Sequence, residues 1–240
     1  LGMLLKLGQR VAIKFEGASP VGKIIVESDN DGKVRGYVAN PKADVATEGT
    51  IDLKAFFGEK GYMRVVKDLR LPKLYESVVP FVAGDMGQNL THYLRQSEQI
   101  GSFATIGVKV DDENKVLTAG GLLLQIIPGA KYKEGAMEML EARLQEMPPI
   151  EDMLLEGKTA EDILAELFQE DYYKILAVRP LVFDCPCSLE RSKQAILALG
   201  RDEIMNILAT EGKAEVDCHF CHKQFVVDQD ALEELLFTFI

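Results

Sequence analysis

A chain of 240 residues, 47% hydrophobic and with a formal net charge of −11, is long enough for one or two folded domains. At a pI near 4.9 its field repels phosphate backbones, which excludes general nucleic-acid binding, and no apolar run reaches transmembrane length, so no membrane partner is expected. Four cysteines are too few for a secreted disulfide scaffold, and no basic, apolar and cleavage-site succession marks a secretory signal, so a cytoplasmic protein is expected. The opening Leu1-Gly-Met-Leu-Leu5 reads as the end of an element, so part of the first domain is expected to precede it.

Residues 1–129 read as an α+β domain with a mixed sheet. Val11, Ile13 and Phe15 alternate with polar neighbours, the period of a half-buried strand. Lys23 to Glu27 and Lys33 to Val38 flank a turn ending in Asp31-Gly32, which predicts a hairpin. Met63 to Val66 and Ile106 to Val110 add short strands, and Asn89 to Gln96 is helical in character. Val116 to Ile127 is a longer apolar run interrupted by Gly120-Gly121, which predicts a buried strand with a bulge. Pro128-Gly129 then marks a turn.

Residues 130–180 read as an acidic helical linker. Between Lys131 and Lys174 the net charge is −7, and four of the eight methionines, Met137, Met139, Met147 and Met153, fall here. Met137, Leu140, Leu144 and Met147 have the spacing of a helix's apolar face, and Pro148-Pro149 stops that helix. Thr159 with Asp162 three residues later predicts a capped helix carrying Ile163, Leu164, Leu167 and Phe168 on one side. Such helices need another surface on which to bury these faces. A solvated linker with an ordinary packed face is the plainer reading. The charge, the proline breaks and the adaptable methionines favour a segment that unfolds once a docking partner lets go.

Residues 181–240 form a small C-terminal module around Cys185-Pro-Cys187 and Cys218-His-Phe-Cys221, with thirty residues between the pairs. Ser188 predicts a cap for a helix running to Gly200, and Asp202 one for a helix ending near Gly212. Ala214–Val216 and Gln224–Val227 read as a hairpin carrying the CxxC as a knuckle, and Asp230 to Phe237 as a closing helix. Four thiolates in two close pairs suit one tetrahedral Zn²⁺, and about sixty residues make so small a core that a metal staple is expected. The same sulfurs could instead form two local disulfides. A purely structural zinc is the commoner role for such a site. The crowded CxC, stiffened by Pro186, favours a reversible bond, because a disulfide there would be strained and readily reduced.

The remaining motifs are weaker. His219 and His222 read as neighbours of a shell that four sulfurs already fill, and with Lys213 and Lys223 they would help hold the thiols deprotonated. His92 stands alone and reads as structural. Gly17-Ala-Ser-Pro-Val-Gly22-Lys23 nearly spells a phosphate loop, but Ile24 occupies the place of the hydroxyl residue and a strand follows where a helix is needed. Nucleotide binding is rejected, and no catalytic constellation stands out.

Taken together the chain resembles the heat-shock protein 33 family of redox-regulated holdase chaperones. The cysteine spacing carries the resemblance, with Val34-Arg-Gly-Tyr-Val-Ala-Asn-Pro41, Val65-Val-Lys-Asp-Leu69, Leu90-Thr-His-Tyr93, Ser97-Glu-Gln99 and Ala119-Gly-Gly121 running to Gln125. Ala83-Gly84-Asp85 departs mildly from the Ser-Gly-Glu common there. The resemblance implies a non-enzymatic, ATP-independent chaperone. Its Cys185, Cys187, Cys218 and Cys221 would hold one Zn²⁺ per chain in an inactive reduced state. Oxidation would form Cys185–Cys187 and Cys218–Cys221 disulfides, release the metal and unfold the module and linker, so that unfolding client proteins are bound. The resemblance further implies a homodimer when active and transfer of clients to ATP-dependent foldases. Two rivals stand beside it. A thiol–disulfide oxidoreductase using Cys218 and Cys221 lacks the βαβ setting of that chemistry and would reduce insulin. A constitutive zinc-stabilised adaptor would keep its metal under mild oxidant.

Overall fold

The computed structural model describes residues 1–43, 51–127, 129, 135–168 and 173–239. Its architecture is α+β with a mixed sheet, and it falls into two compact units. One comprises residues 12–24 and 38–179, the other residues 1–11, 25–37 and 180–240. The strands β1 (Arg10–Glu16), β2 (Ile24–Asp29), β3 (Lys33–Val38), β4 (Tyr62–Asp68), β5 (Tyr75–Pro80) and β8 (Val182–Phe183) follow the order β5-β4-β1-β2-β3-β8. Antiparallel β4–β5 and parallel β3–β8 make this sheet mixed. Strand β1 starts as its period requires, with Val11 and Phe15 buried. The near-phosphate loop runs straight into β2, leaving no helix N-terminus to face a phosphate.

In the larger unit the core gathers Phe15, Phe57 and Phe81 around Met63, Val65 and Val79, with the Phe57 and Phe81 rings 5.2 Å apart. Helix α1 (Leu53–Phe57) is capped by Asp52, whose carboxylate accepts from Ala55 N and Gly84 N. Helix α2 (Met86–Gln96) begins with a reciprocal capping box between Asp85 and Gln88. Buried Asn89 accepts from Val82 N and donates to the carbonyls of Val82, Gly84 and Asp85, so its amide is fully used in fixing the α2 entry loop. His92 has a buried Nε2 with no hydrogen-bond partner among the described residues.

Strands β6 (Ser102–Val110) and β7 (Val116–Gln125) form a separate antiparallel hairpin. Here the sequence reading needs two corrections. The register shifts between Lys109 and Val110, whereas Gly120 and Gly121 pair regularly with Gly107 and Ile106. Strand β7 is also not buried throughout: Val116 and Leu117 are exposed, and only Leu124 is buried. Gly120 serves a neighbour instead. Helix α4 (Ile150–Leu155) lies so close that a Cβ on Gly120 would come within 2.4 Å of Leu154 Cδ1 and 3.3 Å of Ile150 Cγ2.

This contact supplies the surface the linker helices need. Ile150, Met153 and Ile163 are buried together, with Leu122 of β7, Met147 and Leu154 packed against them. Thr118 Oγ1 donates to Glu151 O at 2.8 Å, and Lys109 pairs with Asp152 at 2.8 Å. Helix α3 (Ala136–Glu146) ties to α2 through the Arg95–Glu141 ion pair, and to α5 (Ala160–Phe168) through Arg143 Nη1 donating to Leu167 O. The Thr159–Asp162 box forms as predicted, each backbone N–H donating to the other side chain. Proline 149 both follows the end of α3 and caps α4. Pro128 and the side chain of Met137 fall outside the described residues, while Gly129 has the positive φ of a turn glycine.

The other unit holds α6 (Leu189–Leu197), α7 (Arg201–Thr210), the hairpin β9 (Ala214–Asp217) with β10 (Gln224–Val227), and α8 (Gln229–Phe237). Ser188 caps α6 by accepting from Arg191 N, and Asp228 caps α8 by accepting from Ala231 N. Helix α7 departs from expectation. Gly200 stands at its cap without a side-chain bond, and Asp202 sits in the first turn, where its charge complements the helix dipole. The module's core is Ile196, Ile204, Ala214, Val227 and Leu232, a small set for three helices and a hairpin.

Candidate metal and redox site

Strand β8 delivers the first cysteine pair. Val182 N donates to Gly32 O and Asp184 N to Val34 O, so the two-residue strand lies parallel to β3 and places Cys185 just beyond its end. Gly32 is required here: its φ is +83°, and a Cβ would meet Pro180 O at 2.3 Å. The second pair sits in the turn between β9 and β10. Cys218 N donates to Lys223 O and His222 N to Cys218 O, with His222 in the left-handed region, and together these close the knuckle.

The segment after β8 and the β9–β10 turn bring all four sulfurs within 4.8 Å of one another. Cys185 Sγ lies 3.5 Å from Cys218 Sγ, and Cys187 Sγ lies 3.4 Å from Cys221 Sγ, so the shortest separations cross between the motifs. All four thiols are free and half-buried. Burial pushes the Cys218 thiol up, but the backbone N–H groups of Cys221 and Phe220 outweigh it and bring the group down to about 7. The hydrogen bond with Cys221, then burial, pushes Cys187 up to about 12. Cys218 therefore gives up its proton readily, and Cys187 holds its own unless a cation is present to balance the charge. This donor set suits a soft or borderline metal ion.

His219 and His222 are both exposed and neither joins the sulfur cluster, in line with the sequence reading. The lysines are a correction. Lys213 is taken up by Glu215 at 2.6 Å, and Lys223 lies over the Phe225 ring. The cation at the sulfurs is Arg35, whose Nη1 is 3.6 Å from Cys185 Sγ while its Nε and Nη2 donate to Glu27 at 2.8 and 2.6 Å. Burial disfavours the Arg35 charge, but Glu27 and Cys185 outweigh it and hold the guanidinium more basic than usual. Residue 35 lies 150 positions before Cys185, so spacing could not reveal it; the only signal was its place in Val34–Pro41.

A family model described as Hsp33 protein matches residues 1–228. The chain belongs to the Hsp33 family. The 33 kDa chaperonin of Geobacillus sp. (strain WCH70) is 40% identical over 237 residues, covering 98% of this chain and 80% of that protein. That of Bacillus subtilis (strain 168) is 38% identical over the same length, with the same coverage. The crystal structure of the 33 kDa chaperonin from Thermotoga maritima matches with a TM-score of 0.80 at 33% identity, covering 98% of this chain and 80% of that one. The Hsp33 relatives are chaperones by name, and the present chain is a member of that chaperone family. Among its described residues no helix is long and apolar enough to cross a membrane.

Proposed function

We propose that this protein is a cytoplasmic, ATP-independent holdase, inactive while Cys185, Cys187, Cys218 and Cys221 hold one Zn²⁺ and activated when those thiols are oxidised. The observation that carries the reading is the convergence within 4.8 Å of four free thiols from two separate segments. Tetrahedral thiolates at a Zn–S length of about 2.3 Å stand about 3.8 Å apart, close to the separations between the sulfurs here. The bound ion would supply cross-links that this module's small core lacks.

Each disulfide forms when one thiolate attacks a peroxide oxygen, giving a sulfenic acid and hydroxide, after which the second thiolate displaces the sulfenic hydroxyl. Two electrons pass to each peroxide, so two disulfides consume two peroxides. We assign the pairs as Cys185–Cys187 and Cys218–Cys221. With its ligands gone the metal leaves, the module of residues 181–240 loses its staple, and the adjoining linker of residues 130–180 releases the domain of residues 1–129. The β6–β7 face under α4, including Leu122, then becomes the client-binding surface. The active form is a homodimer that passes its clients to ATP-dependent foldases.

Peroxide treatment with three readouts tests this. A colorimetric chelator should register one zinc per chain, and peptide mapping should find the two local disulfides. Size-exclusion chromatography should show an unfolded client co-eluting only with oxidised protein. Mapping of Cys185–Cys218 and Cys187–Cys221 bonds would contradict the pairing, and zinc retained under oxidant would return the site to a structural role.

A further inference from the structure

Lys33, Arg35 and Tyr37 alternate along β3 and share one face of the strand. Each engages the cysteine site. Lys33 pairs with Asp184, next to Cys185, at 3.3 Å. Tyr37 stacks on His219 at 5.8 Å between ring centroids and meets Phe220 edge-on at 5.0 Å, inside the CxxC. Arg35 reaches both halves: its Nη1 approaches Cys185 Sγ, and its guanidinium carbon lies 3.9 Å from the centroid of Phe220. Glu27 on β2 holds the other edge of the guanidinium, so its orientation does not depend on the sulfur alone.

We infer that Arg35 is the positioning residue that couples the charge of the thiolate site to its docking on β3: it holds Cys185 while that sulfur is an anion and loses its partner when the sulfur enters a disulfide. Four thiolates around a divalent cation carry a net charge of −2, and a half-buried guanidinium beside one of them stabilises that charge. A neutral disulfide accepts only weakly from the same donor. Oxidation therefore removes the attraction at the point where β8 leaves β3, which has only two strand residues to hold it. The cation–π contact with Phe220 ties the CxxC to the same event. This inference rests on the zinc–thiolate reading of the site.

The test compares native protein with Arg35→Gln, Arg35→Lys and Glu27→Gln in the full chain, each verified as folded by circular dichroism. Two readouts are used: the rate at which a chelator strips zinc from reduced protein, and amide exchange at Val182 and Asp184, whose N–H groups bond β3. Arg35→Gln should lose zinc ~10-fold faster, the usual cost of removing a group that supports metal ligands, and should already show in the reduced state the amide exposure that native protein reaches on oxidation. Glu27→Gln should shift the same way by less, and Arg35→Lys should fall between native and Arg35→Gln, because it keeps the charge but not the fork that spans Glu27, Cys185 and Phe220. Native behaviour in Arg35→Gln, or equal losses in the Gln and Lys variants, would overturn the role assigned to Arg35. A native protein that binds no zinc would overturn both this inference and the reading beneath it.

Discussion

Met153→Glu is expected to make the reduced, zinc-loaded protein hold clients about as well as the oxidised native form. Met153 is fully buried where α4 meets β7, beside Ile150 and Ile163. Burial of those three side chains contributes on the order of 5 kcal/mol, at roughly 1.5–3 kcal/mol each. A carboxylate placed among these apolar side chains costs several kcal/mol even after relaxation. The linker should therefore leave β6–β7 while the cysteine module, in the other compact unit, keeps its metal. Met153→Leu conserves volume and should remain switched off, since such swaps usually cost under about 1.5 kcal/mol. Aggregation suppression by reduced protein reads the outcome, with amide exchange in α4 as the structural check. An exposed α4 without client binding would show that the face beneath it is not the client surface.

Cys218→Ser is expected to abolish tight zinc binding and to unfold residues 181–240. Removing a group that merely supports a ligand costs a metal site ~10–100-fold in affinity, and removing a thiolate ligand costs more. The module's five buried hydrophobic residues include one alanine, and the hydrophobics packed against them are only partly buried, a small core for α6, α7, α8 and the hairpin. Structural zinc contributes ~10–16 kcal/mol in comparable small modules, more than the whole stability of many domains. Chelator competition and limited proteolysis should show zinc loss and cleavage together in Cys218→Ser. In native protein, zinc affinity should fall as pH drops. The Cys187 thiol, up at about 12, must always give up a proton to bind metal, and below about 7 Cys218 must as well. A folded, protease-resistant Cys218→Ser module would mean that the metal is dispensable for its structure.

The residues of the site were legible because each motif is local. CxC and CxxC read directly as donor pairs, and Ser188 and the alternation of Ala214–Val216 fixed the neighbouring elements. Elements with a weak local signal were missed. Strand β5, Tyr75–Pro80, ends in a proline and lacks clear alternation, and β8 has two residues stabilised by pairing with β3. Gly120-Gly121 predicted a bulge because glycine weakens strands, yet Gly120 is explained by the close approach of α4, a tertiary fact. Asp202 looked like a cap because its side chain can serve as one, but the helix starts two residues earlier, with Gly200 at the cap. Arg35 was hidden for a related reason: its partners, Glu27 and Cys185, are brought to it only by the sheet.

The central claim is that oxidation of the four-cysteine site turns on client binding. Light scattering from a thermolabile protein, heated with either zinc-loaded reduced protein or its peroxide-oxidised form, tests it most directly. Suppression by the oxidised form alone, reversed by dithiothreitol, is expected. Equal suppression by both forms, or none by either, would contradict it.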